Sequence, residues 1–333
     1  TLLVSAQPAT RQTLTIHPLT LQTPTADGWL QALGEQTAAE SARDAADCYA
    51  AHARWWRAFW QRSWVSVSGG KPEEAKEIAN INTGWHAHRY LIACTARGNS
   101  PIKFNASIFN VEKYNSKGQP ADWVTPDFRN WDGALWFQNQ RHIYWPMFAA
   151  GDHDQFAPFF KMYRDALPLA EKRTRIYYKH DGAYFPETMH FFGTWYNSGL
   201  SGYGGNRKGK ELGLADSGWI RYYWQGGIEL SAMMLEYYRH TGDEAFVRET
   251  LLPIASSIVT FYDQHYKRGA DGPPAQGSSL LRQGSGGQAG AAGKIWFSPA
   301  QVLETYWDVD NPMPEIAGLR CVIPGLLALP ENL

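Results

Sequence analysis

One acidic side chain, Glu304, lies in the segment KIWFSPAQVLETYWDVDNPMPEIAGL, residues 294–319. Trp296, Phe297, Tyr306 and Trp307 are its aromatic neighbours in sequence. Among aromatic rings a carboxyl loses solvation, which disfavours its charged form and keeps its proton toward neutral pH. Such an acid can protonate a departing oxygen. The plainer alternative is a capping or salt-bridged glutamate. A second segment, NWDGALWFQNQRHIYWPMFAAGDHDQF (130–156), mixes aromatic rings with Asn, Gln, Arg, His and Asp. Coiled as a helix, it sends Asn139, His142 and either Arg141 or Trp145 toward one end. Asn and Arg fix hydroxyl groups through directional hydrogen bonds, Arg in a bidentate way. The alternative is a buried polar network that braces loops.

Two further stretches carry candidates. Glu187, in GAYFPETMHFFGTWYNSG (182–199), is a second carboxylate or a hydroxyl binder, or else a loop brace. Trp224 and Glu229, in YYWQGGIEL (222–230), open a helix, and Gly226 and Gly227 admit a close neighbour, either another helix or a ligand. His86 and His88 stand two apart, which on a helix turns them away from each other, so no metal site is expected. GSGG in 284–287 is followed by no Gly-Lys-Ser/Thr and is not a phosphate loop. No cofactor is called for.

The chain has 333 residues and a net charge of −1, with Lys and Arg scattered, so a nucleic-acid partner is set aside. Its 15 Trp, 17 Tyr and 15 Phe are a high aromatic share. Tryptophan offers an apolar plate with one N–H donor, which suits a sugar ring, though a Trp-rich core is the plain alternative. Cys48, Cys94 and Cys321 have neither disulfide nor zinc spacing. No run approaches the ~18 apolar residues of a membrane span. The first residue is Thr1, and no secretory leader opens the sequence.

The elements that must position these residues are mainly helical. Residues 2–25 alternate apolar and polar side chains, as in TLTIHPLTLQT, and are expected to form strands. Helical character begins near residue 36. One helix aligns Tyr49, His52, Trp56 and Phe59. Another, over 74–97, aligns Ile78, Ile81, Trp85, His88 and Ile92. Further helices are expected near 137–149, 154–168, 226–241, 253–266 and 313–329. Pro253 and Pro314 suit first-turn positions. Gly151 ends one helix, Asp152 caps the next, and Asp243 starts another. Short turns within helix pairs and long loops at 98–133, 169–225 and 267–298 suggest helical hairpins in a ring, an α/α toroid. Residues 269–293, rich in Gly, Ser, Ala and Gln, read as a flexible insertion.

WFQNQRHIYWP, then WQGGIELSAMMLEYYRHTGDEAFVRETLLPIASSIVTFY, then FSPAQVLETYW follow in order through the chain. In that order and approximate spacing they resemble glycoside hydrolase family 95, which holds inverting α-L-fucosidases and relatives acting on α-galactosides. The likeness covers most of 36–330 and points to a bacterial branch related to that family. It implies a β-sandwich, a linker and an (α/α)6 barrel. Residues 1–35 would then be the β segment or linker left from the sandwich. Residues 36–333 would be an incomplete catalytic barrel. Glu304 inherits the general-acid role because Ser298-Pro299 precedes it. Asn139 matches the second of two water-positioning Asn residues, Phe137 replaces the first, and Arg141 replaces a following Gln. Glu187 lies near the family's sugar-binding loop. Trp136, Gln138, Arg141, His142, Glu187, Trp224, Trp296 and Trp307 are the expected substrate contacts. The family's water-activating Asp lies on a later helix, beyond Leu333, so the barrel is expected to be truncated. Its inner face near the last helix would carry Ile316, Leu319, Ile323 and Leu326. The expected activity is hydrolysis of a glycosidic bond with inversion, on an oligo- or polysaccharide. A polysaccharide lyase on the same architecture, or a non-catalytic carbohydrate binder, are the alternatives. The expected location is secreted or periplasmic, with no membrane partner, and the oligomeric state stays open.

Overall fold

The computed structural model describes residues 7–8, 10–11, 13–103, 134–194, 218–269 and 293–333. The chain divides into two compact units, Thr1–Arg62 and Ser63–Leu333.

The first unit holds helices α1 (Ala26–Ser41) and α2 (Ala45–Arg62). The Thr25 hydroxyl accepts the Gly28 N–H at 3.1 Å and starts α1. Asp44 Oδ1 accepts the N–H groups of Ala46 and Asp47 at 2.9 and 3.0 Å and starts α2. In both cases a side-chain oxygen takes over donors that the first turn leaves unbonded. The strands expected over 2–25 do not form among the described residues there, and Leu14 and Ile16 are exposed. Alternation makes a strand only where a partner supplies the ladder. Helical structure begins at Ala26, ten residues before the expected start, and the first compact unit ends at Arg62.

The second unit is mainly helical. Its elements are α3 (Ala75–Thr95), β1 (Leu135–Trp136), α4 (Phe137–Ala150), α5 (Ala157–Tyr178) and β2 (Thr188–Met189). They continue with α6 (Gln225–Thr241), the short α7 (Glu244–Phe246), α8 (Leu252–His265) and β3 (Lys267–Gly269). The last are β4 (Lys294–Trp296), β5 (Ala300–Val302), β6 (Tyr306–Val309) and α9 (Met313–Leu327). Pro253 and Pro314 sit in the first turns of α8 and α9, where a missing N–H costs nothing. Gly151 ends α4 with φ 69°, and Asp243 accepts the Phe246 N–H at 3.0 Å.

Asp152 does not cap the helix after it. Its carboxylate is buried and takes Arg89 Nε at 2.9 Å and Nη2 at 2.8 Å. A guanidinium buried in α3 needs this counter-charge more than a helix end needs a cap. Helix α5 also runs ten residues past the expected end at 168, because Ala170, Arg173, Thr174 and Tyr178 carry its buried face onward. The loop expected at 169–225 is shorter by that length. Residues 104–133, 195–217 and most of the 269–293 insertion lie outside the described residues.

Helix α6 packs against α4, α8 and α9, and α5 packs against α8. Aromatic rings fill the space between them: Phe156, Phe159, Tyr184, Phe261 and Tyr262 are at most 2% exposed. On α9 the buried stripe is Glu315, Leu319 and Val322, whereas Ile323 points outward. Two-stranded antiparallel ladders join β1 to β2, β3 to β4 and β5 to β6. No helix among the described residues is long and apolar enough to cross a membrane.

Candidate functional site

The site is built where β1 turns into α4. The β1–β2 ladder pairs Leu135 with Met189 and Trp136 with Thr188, so Glu187 arrives beside the first turn of α4. Its main-chain carbonyl accepts the Phe137 N–H at 3.1 Å, and its Oε1 accepts the Gln138 N–H at 2.8 Å. Glu187 thus serves the unbonded donors of a helix start from a distant loop. It is 2% exposed, and its Oε2 has no hydrogen-bond partner among the described residues.

Burial raises the pKa of Glu187 well above the usual carboxylate range. The Gln138 N–H and the Arg141 guanidinium act against that shift, and the charges of Glu304 and Glu229 add to it. Desolvation wins because the hydrogen bond and the cation reach one side of a carboxyl that is otherwise dry. Burial therefore favours the protonated form of Glu187, and Glu304 and Arg141 are near enough to act on it.

Arg141 is held from two sides. Its Nη1 donates to Glu229 Oε2 at 2.5 Å, and its Nε donates to the Gln138 carbonyl at 3.1 Å. Trp145, one turn on, donates from Nε1 to Glu229 Oε1 at 2.8 Å. Arg141, Trp145 and Glu229 so lock α4 to α6. Burial opposes the charge of Arg141, but Glu229 outweighs it and the guanidinium pKa rises. Tyr223, 1% exposed, lies within reach of the same charges. Burial and then the Glu187 charge raise its phenol, and its hydroxyl has no partner among the described residues.

Glu304 sits in the turn between β5 and β6. Its carbonyl accepts Trp307 Nε1 at 2.7 Å, and the Trp307 ring meets Trp219 edge to face at 4.8 Å. Trp307, Trp219 and Tyr306 are 46%, 55% and 62% exposed, so the rings near Glu304 present their faces outward. They do not enclose it as their order in sequence implies, and Glu304 is half-buried. Among the described residues Glu187 and Glu315 are buried carboxyls without an ion pair, unlike Asp152, and burial pushes Glu315 up to about 8.

The other expected residues divide. Gln138 joins the site through its main chain, while Asn139 and His142 are exposed on α4 and make no hydrogen bond among the described residues. Trp224 is 2% exposed and packs against Tyr184, Phe261 and His265, so it belongs to the aromatic core. Trp136 is buried too. Trp296 is half-buried on β4. Gly226 faces the Phe137 ring and Gly227 faces Ile258, where an added Cβ would stand 3.0 Å from each. The close neighbours of the glycine pair are therefore core side chains. Tyr223 and Glu315 were absent from the sequence reading. Glu315 had a signal, since a carboxyl four residues before Leu319 falls in the apolar stripe of α9. Among the described residues no group of three or more His, Cys, Asp or Glu is placed to hold a metal ion.

Residues 2–65 match a family model described as a domain of unknown function (DUF5703). No curated protein matches the chain. The matched stretch nearly coincides with the first compact unit and ends before Gln138, the first residue of the site.

Proposed function

We propose that the second unit is the catalytic region of a glycoside hydrolase of α/α-toroid type, acting on an oligo- or polysaccharide with inversion. The observation that carries this reading is the pairing of Glu187 with Glu304. One carboxyl is buried with an oxygen that has no partner among the described residues, the other lies at a half-buried turn, and the charge of Glu304 acts on Glu187. In this reading Glu304 protonates the departing oxygen, and Glu187 donates a hydrogen bond to a sugar hydroxyl. Arg141 orients the sugar, Asn139 helps hold water, and the exposed face of Trp307 receives a ring. Inversion requires the acid and the water-activating group about 6.5–9.5 Å apart.

The charge balance favours this over a lyase. Arg141 is already paired with Glu229; Glu187 senses it together with the acids Glu304 and Glu229, and Tyr223 senses it together with Glu187, Glu229 and Glu315. A uronate would bring a further negative charge into that field, where the cation acting on Glu187 among the described residues is already paired with Glu229. The burial of Glu187 supports a second assignment, in which Glu187 rather than Glu304 is the proton donor.

Two substrates test both assignments. Glu304→Gln is expected to lose about 10²–10⁴-fold in kcat/KM on natural glycosides. It should lose far less on an aryl glycoside whose leaving group needs no proton. The same contrast in Glu187→Gln, and not in Glu304→Gln, moves the donor role to Glu187. Equal losses on both substrates in both variants refute general acid catalysis by either. Glycan binding without release of any sugar refutes the hydrolase reading itself.

A further inference from the structure

Glu315 stands apart from the residues given roles above. It lies in the first turn of α9, 1% exposed, and forms no ion pair among the described residues. The Gln225 amide nitrogen, turned toward it, donates to Glu315 Oε1 at 3.1 Å and to the Gln301 carbonyl at 2.7 Å. Gln301 is itself fully buried. Its amide nitrogen donates to the carbonyls of Trp219 and of Leu303, the latter at 2.8 Å, and its Oε1 accepts the Tyr222 N–H at 3.1 Å. Leu303 has φ 49°, the left-handed region, and directly precedes Glu304. A continuous chain of hydrogen bonds, buried at Glu315, Gln225 and Gln301 and part-buried where it reaches Trp219, Tyr222 and Leu303, therefore runs from α9 through the start of α6 to the turn that carries Glu304.

We propose that Glu315 is a positioning residue for Glu304, acting through Gln225 and Gln301 on the β5–β6 turn. The role of Glu304 rests on the glycoside-hydrolase reading; the hold on the turn does not. An amide network tied at both ends keeps a left-handed backbone residue in place, because each amide nitrogen donates to two fixed acceptors. Glu315 supplies the terminal acceptor. The groups that sense its charge are the phenols Tyr223, before α6, and Tyr262 and Tyr266, at the end of α8. No cation is among the groups acting on it; its carboxyl accepts from its own main-chain N–H and, at Oε1, from Gln225.

The test compares Glu315→Gln, which keeps an acceptor oxygen and no charge, with Glu315→Leu, which has none. Gln225→Leu cuts the same chain one step further on. Amide hydrogen exchange of the peptide covering 300–309 is read against that of α4 in each variant. Glu315→Gln is expected to exchange like the wild type, whereas Glu315→Leu and Gln225→Leu speed the hairpin about tenfold with α4 unchanged. On a cleaved glycoside, Glu315→Leu should lower kcat by about tenfold at nearly constant KM, and Glu315→Gln should restore it. Folded Glu315→Leu and Gln225→Leu variants with wild-type hairpin exchange overturn the proposal. If Glu315→Leu does not fold, Gln225→Leu decides by the same measure. A hairpin loosened in a protein that cleaves no glycoside supports the hold on the turn and sinks only the hydrolase reading.

Discussion

Replacing Glu315 by Gln should change how stability depends on pH, and the direction follows from burial. The folded-state pKa of Glu315 is raised from the usual 4.5 to about 8 because water is excluded from its carboxyl. The folded chain then holds a proton that the unfolded chain has released. Stability contributed by that proton is full below pH 4.5 and is lost as pH rises to about 8. The whole displacement corresponds to roughly 5 kcal/mol, and relaxation or water entry around the charge lowers the measured change toward about 2 kcal/mol. Against a total of about 5–15 kcal/mol for a typical domain, either value is decisive. Gln cannot ionise, so Glu315→Gln removes the dependence while keeping the Gln225 contact. Urea unfolding at intervals from pH 4.5 to 9 measures the difference between variant and wild type, in which the other titrating groups cancel. The variant should gain on the wild type steadily between those limits. A difference that stays constant with pH refutes the burial argument.

Other groups make further demands. Asp152→Ala leaves Arg89 charged and dry, and should destabilise the second unit by about 3–5 kcal/mol in chemical denaturation, with helices α3 and α4 loosened first. His265 sets the opposite limb. Burial and then the neighbouring His180 hold its pKa well below 6.5, so the folded state keeps it neutral while the unfolded state takes a proton. Stability should fall as pH drops below about 6.5, and His265→Gln should flatten that limb in the same unfolding series.

Much of the helical framework was legible in the sequence. Pro253, Pro314, Gly151 and Asp243 act locally, through a fixed φ, a missing N–H or a short side-chain bond, and local signals survive into the fold. What failed needed partners. Residues 13–23 alternate as a strand does, yet alternation says nothing about a ladder. Helix α1 escaped notice because it has no buried residue and hence no apolar stripe to read. The last turns of α5, in LAEKRTRIYY, read as a loop on account of their charges, although Lys, Arg and Glu are good helix formers on a solvated face. Asp152 looked like a cap, and only the arrival of Arg89 from another helix explains its burial.

At the candidate site the same distinction decides which carboxyl is dry. Sequence places Trp296, Phe297, Tyr306 and Trp307 around Glu304, but neighbours along a hairpin turn can face outward, as Tyr306 and Trp307 do. Glu187 has as many aromatic neighbours in sequence, Tyr184, Phe185, Phe191 and Phe192, and is drier because the β1–β2 ladder draws it under the start of α4. Its position there commits Oε1 to a helix N–H and leaves Oε2 with no partner among the described residues. Arg141, the cation that acts on it, is paired with Glu229. Among the described residues no other cation acts on Glu187, so burial favours its protonated form, and a protonated carboxyl is a donor. Burial thus biases the site toward a neutral acid whose Oε2 has no partner among the described residues. In the proposed chemistry, a neutral sugar hydroxyl or a departing oxygen satisfies that donor, whereas a uronate adds the charge that the protein has arranged to avoid.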